Sequence, residues 1–286
     1  MTLPQNELYQ AILARRSVRR YDKTPLDAAT LAQVREIVAG VKPLVPENRF
    51  EVLVKDVAPG EDLVARLGGY GRIVTPPHYL VPYIVGERRP LTDLGHCVEQ
   101  VAVRLTQLGI GTCYIGCVSG EAAVRERFGL PAGARIGAFL IFGRPSASLG
   151  GRAFNATMRR AVGATNKLPA ERIFFRDTFD APAAPPAELA PLIEAARHAP
   201  SAVNAQPWRF LWRDGQLHLF VTRHNSKYVG AGNDLYRLYD GGICMGNVTL
   251  ALEALGLAGH WVLPAGEEAD IPAPVDLEPL ARLALG

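Results

Sequence analysis

An internal repeat constrains the fold of this 286-residue chain more than any other feature of its sequence. The segment "TDLGHCVEQVAVRLTQLGIGTCY" (residues 92–114) aligns with "YDGGICMGNVTLALEALGLAGHW" (residues 239–261) at a shift of 147 residues. Both copies carry Asp in second place and Leu-Gly shortly before an aromatic residue. The repeat favours a chain built from two related halves.

Each copy of the repeat predicts a helix with one apolar stripe. In the first copy, Leu94, Val98, Val101, Leu105 and Leu108 follow one another at steps of four and three residues, which places them on one helical face. The second copy keeps four of these five positions apolar and bulky. We expect the two helices to pack against each other about a pseudo-twofold axis, as two subunits of a homodimer would.

The ends of both helices are also predicted from the repeat. Asp93 and Asp240 are residues that can cap a helix N-terminus. Gly109 and Gly256 stand where each helix should stop. The sequence therefore predicts that each helix begins at its Asp and ends at its Gly.

The similarity between the halves extends beyond the repeat. Residues 31–40 and 189–200 both resemble short amphipathic helices, and the segments that follow them, 49–56 and 209–221, resemble strands. The Pro- and Ala-rich segment 180–191 lies near the join. We divide the chain into residues 1–175 and residues 176–286.

Composition and charge exclude several classes of function. The first residues, "MTLPQNELYQ", lack the basic and apolar regions of a signal peptide, and every long apolar stretch is interrupted by Arg, Gly or Pro, so we expect a cytoplasmic protein that does not bind membranes. The formal net charge is only +3 and the arginines are scattered, so nucleic acid is not the expected partner. The cysteines and histidines lack zinc-ligand spacing, which argues against a metal site and favours reduced thiols. The cysteines are Cys97, Cys113, Cys117 and Cys244.

Each half carries one polar motif that the other half lacks. "ARRSVRRYD" (residues 14–22) occurs only near the N-terminus, and "APSAVNAQPWRF" (residues 199–210) occurs only in the second half. Taken alone, the arginine cluster is equally consistent with a solvated basic face.

These motifs, with "LGIGTCYIG" (108–116) and "NKLPAERIF" (166–174), resemble the FMN-dependent nitroreductase family over about residues 10–262. The resemblance implies an α+β, nitroreductase-like fold and a flavin held in a cleft between two subunits. Here the motifs lie in different halves of one chain, which resembles the fused, internally duplicated branch of the family. We therefore expect an intrachain pseudo-dimer with one complete FMN site.

The resemblance also implies a role for individual residues. Arg15, Arg16 and Ser17 match the contacts to the phosphate and ribityl chain, and Lys167 matches a further contact to the phosphate. Arg19 matches the cation near the N1 and C2 carbonyl end of the flavin, and Tyr114, Gly116 and Cys117 match the stretch beside its N5 edge. Pro200, Ser201 and Asn204 match the residues that approach from the other subunit.

Some assignments carry an alternative from the residues themselves. A second basic residue is common in the family where this chain has Thr165. Ser201 and Asn204 have side chains that also satisfy nearby backbone groups, and Trp208 is expected to anchor a strand in the core. The glycine-rich segment 68–80 is expected to be a plain turn into a strand. The alternative is that it borders the substrate, with Tyr70 or Arg72 near the flavin ring.

The resemblance implies an FMN-dependent oxidoreductase that takes hydride from NADH or NADPH. Its acceptors would be nitroaromatics, quinones or similar small molecules, reduced by a ping-pong mechanism. The sequence lacks a convincing nucleophile or acid–base set, which agrees with chemistry carried by a cofactor. Alternatives are a flavin-binding protein without turnover, acting as a sensor or store, and a family member with other flavin chemistry. Further dimerisation of the chain stays open.

Overall fold

The computed structural model describes residues 6–58, 60–161, 163, 165–230, 232–264 and 273–286. Its helices and strands are interspersed along the chain, and the strands form two sheets. Every helix among the described residues is too short or too polar to cross a membrane.

The first part of the chain forms the first sheet and most of the helices. In chain order its elements are α1 (Glu7–Ala14), α2 (Ala28–Gly40), β1 (Arg49–Asp56), α3 (Leu63–Leu67), β2 (His78–Val85), α4 (Pro90–Gln107), β3 (Gly111–Gly116), α5 (Glu121–Phe128), β4 (Ala134–Arg135), β5 (Ala138–Gly143) and α6 (Leu149–Ala161). The predicted helix at 31–40 forms, and it begins earlier than expected because Asp27 caps it by accepting the N–H of Thr30.

The rest of the chain forms the second sheet around two helices. Its elements are β6 (Phe174–Arg176), α7 (Ala190–His198), β7 (Trp208–Arg213), β8 (Gln216–Thr222), α8 (Tyr236–Leu255), β9 (Gly259–Val262) and β10 (Leu277–Leu285). The segment 209–221, predicted to be a strand, is interrupted by a turn. Asp214 and Gly215 both have positive φ there, at 51° and 71°, as is typical of the two central residues of a tight hairpin turn.

The two sheets have different strand orders. In the first sheet the order is β1-β2-β5-β3, with β4 also paired to β2, and all pairs are antiparallel. In the second sheet the order is β6-β7-β8-β10-β9, and only β6 and β7 run parallel. Mainly antiparallel sheets with packed helices confirm the predicted α+β class.

Helices α4 and α8 pack closely, and two glycines make this possible. A Cβ atom at Gly95 would lie 2.1 Å from the carbonyl oxygen of Tyr239, and one at Gly242 would lie 1.9 Å from that of Thr92. Gly242 and Tyr239 lie 147 positions after Gly95 and Thr92. The two contacts are therefore reciprocal between α4 and α8.

The predicted caps at Asp93 and Asp240 are wrong, although both residues are hydrogen-bonded. Asp93 lies inside the first turn of α4 and accepts the N–H of Leu44 at 2.6 Å. Asp240 lies inside α8 and accepts the N–H of Ala202 at 2.9 Å. Each buried carboxylate therefore fixes the loop that follows α2 or α7, and neither begins a helix. Gly256 ends α8 in the left-handed conformation, as predicted.

The core is continuous between the two halves. One hydrophobic cluster joins Leu94 and Val98 of α4 to Met245 and Val248 of α8. The proposed boundary after residue 175 falls inside β6, which pairs with β7. A division by sheets therefore places all of β6 with the second half.

Candidate functional site

A cleft of about 840 Å³ lies between the two halves, within the usual size range of cofactor pockets. The loop after α1, the end of β3 and residues 165–167 form part of its wall. The loop after α7 and the first turns of α8 form the rest. The structure therefore brings the basic motif and the 199–204 loop to one cleft, although they lie far apart in sequence.

The basic motif leaves α1 and runs beside β3. Arg15 is the residue at which α1 ends, since its ψ of 127° is extended. Ser17 forms a bridge with Thr112, and the N–H of Val18 donates to the carbonyl of Thr112 at 2.9 Å. The side-chain oxygen of Asn155 in α6 accepts the backbone N–H of Arg19 at 2.9 Å. The motif is thus held by both β3 and α6.

Arg15 and Arg19 carry buried guanidinium groups that face the cleft. Each residue is 8% exposed. Among the described residues, Nε and Nη1 of Arg15 and Nη1 of Arg19 have no hydrogen-bond partner. Buried charged donors are costly unless paired. These two residues therefore make the cleft a site for an anionic or strongly polar ligand.

A buried carboxylate lies behind Arg15. Glu99 of α4 is fully buried, and its Oε1 lies 3.4 Å from Nε of Arg15. Its Oε2 accepts a hydrogen bond from the hydroxyl of Tyr114 at 2.6 Å. Burial raises the pKa of Glu99 to about 7, an effect that Arg15 and the Tyr114 hydroxyl partly oppose. Sequence analysis missed Glu99 because it is one of several polar residues in a helical pattern.

Lys167 lies at the cleft with its ammonium group close to the loop after α7. Its Nζ donates to the carbonyl of Ala199 at 2.9 Å. Burial lowers the pKa of Lys167 to about 8, and the positive charge of Arg15 adds to this effect. Thr165 also lines the cleft. Arg159 of α6, which the sequence did not suggest, adds a further cation to its wall.

The loop after α7 has an unusual backbone. Val203, Asn204 and Gln206 have positive φ values of 47°, 53° and 50°, a region that side chains other than Gly rarely adopt. Asn204 Nδ2 donates to the carbonyls of Gly163 and Asn166 at 2.7 and 3.0 Å. The side chain of Gln206 also bonds the backbone of residues 166 and 168.

The residues expected from the second half, Pro200, Ser201 and Asn204, all line the cleft. Their described hydrogen bonds go to the backbone, since Ser201 Oγ accepts the N–H of Gln206 at 2.9 Å and Asn204 donates as above. The alternative that Ser201 and Asn204 satisfy backbone groups is therefore supported, for Ser201 in its own loop and for Asn204 at residues 163 and 166. Trp208 is fully buried, as predicted.

The end of β3 brings two of its three predicted residues to the cleft. Tyr114 and Gly116 line it. The structure does not bring Cys117 there, because its thiol is directed to the carbonyl of Ile136 at 3.9 Å. Cys117 follows Gly116, the last residue of β3, and its side chain points to the side of the backbone opposite to that of Tyr114.

Two tyrosines at the start of α8 were not foreseen. The hydroxyl of Tyr236 accepts the N–H of Val118 at 3.2 Å. Tyr239 lines the cleft, and its buried hydroxyl has no hydrogen-bond partner among the described residues. Tyr239 stands in the repeat, but Thr92 at the equivalent position gives no signal of a polar ligand contact.

The segment 68–80 forms a short 3-10 helix, Gly68–Arg72, before β2. Tyr70 is 48% exposed and borders the cleft. The expected turn is therefore a helical turn, and it carries an aromatic ring to the cleft mouth.

Three potential metal ligands converge outside the cleft. Asp93, His96 and Cys97 are buried with ligand atoms within 4.8 Å of one another. Both carboxylate oxygens of Asp93 already accept hydrogen bonds, from Leu44, Val45 and Asn48. These bonds give the cluster a structural explanation.

Comparison with protein families gives one match that spans most of the chain. The family model described as "Putative TM nitroreductase" matches residues 7–235. The comparison with curated proteins gives no match.

One solved structure has the same fold over the whole chain, and others align with about half of the chain. The crystal structure of a putative nitroreductase from Thermotoga maritima aligns with 100% of this chain and 95% of its own, at a TM-score of 0.57 and 16% identity. An FMN-dependent nitroreductase from Clostridium difficile is 16% identical over 48% of this chain and 87% of its own, with a TM-score of 0.40. Nitroreductase A from Vibrio parahaemolyticus is 18% identical over 56% of this chain and 87% of its own, with a TM-score of 0.43.

Proposed function

The chain belongs to the putative TM nitroreductase family, and on this premise we propose that it is an FMN-dependent oxidoreductase. One observation carries the proposal. Arg15 and Arg19 line a cleft of about 840 Å³ and have buried guanidinium nitrogens without a hydrogen-bond partner among the described residues. A ligand with a phosphate and a polar ring edge would satisfy these donors.

The residues of the cleft fit the phosphate of FMN at one end. Arg15, Arg16 and Lys167 line the cleft together, and a phosphate with nearly two negative charges requires such partners. Ser17 adds a hydroxyl for the ribityl chain. Arg159 also lines the cleft and offers a further cation where Thr165 supplies none.

The other end of the cleft suits the flavin ring. When bound, FMN supplies the hydride-accepting chemistry of its isoalloxazine ring. Arg19 supplies positive charge, which favours a reduced and more negative ring. A Cβ atom at Gly116 would lie 2.2 Å from the hydroxyl oxygen of Tyr236, so this glycine makes room for that ring at the cleft, and Tyr70, Tyr236 and Tyr239 provide aromatic surface. The protein binds and orients the reactants and tunes their charge.

We propose that NADH or NADPH reduces the cofactor and that a nitroaromatic, a quinone or a similar acceptor reoxidises it. The two substrates would use the same cleft in turn, which is a ping-pong mechanism. A flavin-binding protein without turnover is the alternative from another class.

We further propose that the two halves of this chain correspond to the two subunits of a family dimer and that the chain holds one FMN. Support comes from the positions 147 residues away from cleft residues. Trp261 stands where the first half has Tyr114, and Arg89, near Glu278 at 3.4 Å, corresponds to Tyr236. The guanidinium of Arg88 bonds the carbonyl of Leu263, the counterpart of Gly116, at 2.8 Å. Bulky and charged side chains thus occupy the equivalent region.

The direct test is the colour and the reduction of the purified protein. A yellow protein, or one that becomes yellow with added FMN, supports cofactor binding. Anaerobic addition of NADH and of NADPH should bleach the flavin with at least one of them. A protein that binds no FMN contradicts the proposal, and one that binds FMN without bleaching favours the alternative.

A further inference from the structure

Glu99 lies directly behind the part of the cleft that is assigned to the phosphate. Tyr114 and Arg15 line the cleft, and both contact the carboxylate of Glu99. The Arg15 contact at 3.4 Å is an ion pair without hydrogen-bond geometry, so Oε1 of Glu99 and Nε of Arg15 both lack a hydrogen-bond partner among the described residues. The guanidinium is therefore held by charge, and its Nη1 likewise has no hydrogen-bond partner among the described residues.

The position of Glu99 would be unfavourable in a dimer of two identical subunits. The position 147 residues after Glu99 is Gly246, and a Cβ atom there would lie 3.1 Å from Cβ of Glu99. We call the contact between α4 and α8 the seam. Two glutamates facing each other at this seam would bury two carboxylates side by side. A single chain with different halves places one acid at the seam and a glycine opposite it.

Resting on the proposed FMN site, we propose that Glu99 takes up a proton when a phosphate-bearing flavin binds at Arg15. Glu99 is thus a positioning residue that balances the charge of Arg15 in the free protein and becomes neutral in the complex. In the free protein the charge of Arg15 is balanced by ionised Glu99, and in the complex it is balanced by the phosphate. Arg15 is therefore never buried without an anion, and it never faces two anions at once.

The groups that face Glu99 determine the direction of this effect. They are Arg15, Tyr114, Lys167, Tyr239 and Cys244. Burial raises the pKa of the Glu99 carboxyl to about 7, while the charges of Arg15 and Lys167 lower it. A bound phosphate neutralises those two cations, so the pKa of Glu99 rises further and a proton is taken up at and above neutral pH.

Calorimetry detects this proton. FMN is titrated into the flavin-free protein at pH 7.5 in buffers of different ionisation enthalpy, with riboflavin as the control that lacks the phosphate. We expect proton uptake with FMN, an FMN affinity that falls by about three- to tenfold per pH unit between pH 7 and 8.5, and no uptake with riboflavin. The phosphate itself ionises near pH 6, below this range.

Two variants distinguish proton uptake by Glu99 from proton uptake by Lys167, whose pKa is also near this range. Lys167→Arg carries a cation that does not titrate and should keep the proton uptake. Glu99→Gln made in the Lys167→Arg background should abolish it. Uptake that persists in this double variant, or that disappears in Lys167→Arg alone, overturns the inference.

A third variant covers the case in which Glu99→Gln does not fold. Tyr114→Phe removes the hydrogen bond that favours the ionised carboxylate, so the fall in affinity should begin at higher pH than in the parent chain. An unchanged pH profile in Tyr114→Phe contradicts the inference. A chain that binds FMN tightly with no proton uptake overturns only this inference, whereas a chain that binds no FMN at any pH overturns the proposed function.

Discussion

The carboxylate of Asp240 accepts the backbone N–H of Ala202 at 2.9 Å, so α8 fixes the loop that closes the cleft. The same carboxylate accepts the hydroxyl of Tyr228 at 2.7 Å. In the first half, Asp93 does the same for the N–H of Leu44. One of these two equivalent bonds stabilises the cleft, and the other lies away from it.

This relationship makes the stability of the chain depend on pH. Burial raises the pKa of Asp240 from 3.8 to about 7, so the folded state holds this proton more tightly than the unfolded state. The corresponding contribution is complete below pH 4 and is lost as pH rises to about 7. Asp240→Asn should remove the part of the pH dependence of stability that arises from this carboxyl. The Tm of the variant should therefore change less between pH 5 and 8 than the Tm of the parent chain.

Asp93→Asn is the matched control for the cleft. It alters the equivalent bond in the first half, so it should leave FMN affinity within about twofold of the parent value, whereas Asp240→Asn should weaken FMN binding. Equal losses of affinity in both variants would contradict a specific role of Asp240 in holding the 199–204 loop.

The two buried arginines should affect different properties. Arg15→Ala should weaken FMN binding by about 10- to 150-fold, since a hydrogen bond to a charged group contributes about 1.5–3 kcal/mol. Arg19→Ala should retain some binding and lower the two-electron flavin potential by about 30–60 mV. Flavin fluorescence and a redox titration measure the two effects. Arg213→Ala, at the exposed hairpin of the second sheet, should change neither, and identical effects of the first two variants would refute the division of roles.

The seam between α4 and α8 should tolerate no side chain at its two glycines. Gly95→Ala and Gly242→Ala each place a Cβ atom about 2 Å from a backbone oxygen, so each should destabilise the chain by at least about 1–3 kcal/mol. Urea unfolding measures this loss. Gly40→Ala, in α2, meets no described atom within 4 Å and should not destabilise. Tolerance of Ala at both seam positions would argue against the close packing of the helices.

The repeat and the strand patterns predicted much of the fold. The assignment of two distant motifs to one site rested on the family resemblance, whereas the stripe that begins at Leu94 predicted α4 and the strand predicted at 49–56 has the bounds of β1. These signals are periodic or strongly local, so they are visible in one sequence. The hairpin at Asp214 was missed because the apolar pattern continues on both sides of the turn.

Other features depend on packing and were not visible in the sequence. Asp93 and Asp240 resembled caps, yet α4 and α8 begin earlier and bury both carboxylates against loops. Cys117 follows the strand end, and its direction depends on where β3 stops pairing. Glu99 carries no motif, because its role arises only from the contact with Arg15, which comes from a different helix.

The central claim is one flavin site made from the two halves of one chain. After saturation with FMN and removal of unbound cofactor, the protein is denatured, and released flavin is measured by absorbance against protein concentration. The expected result is one FMN per 286-residue chain. Two FMN per chain would contradict the single split site, and none would contradict the flavin site itself.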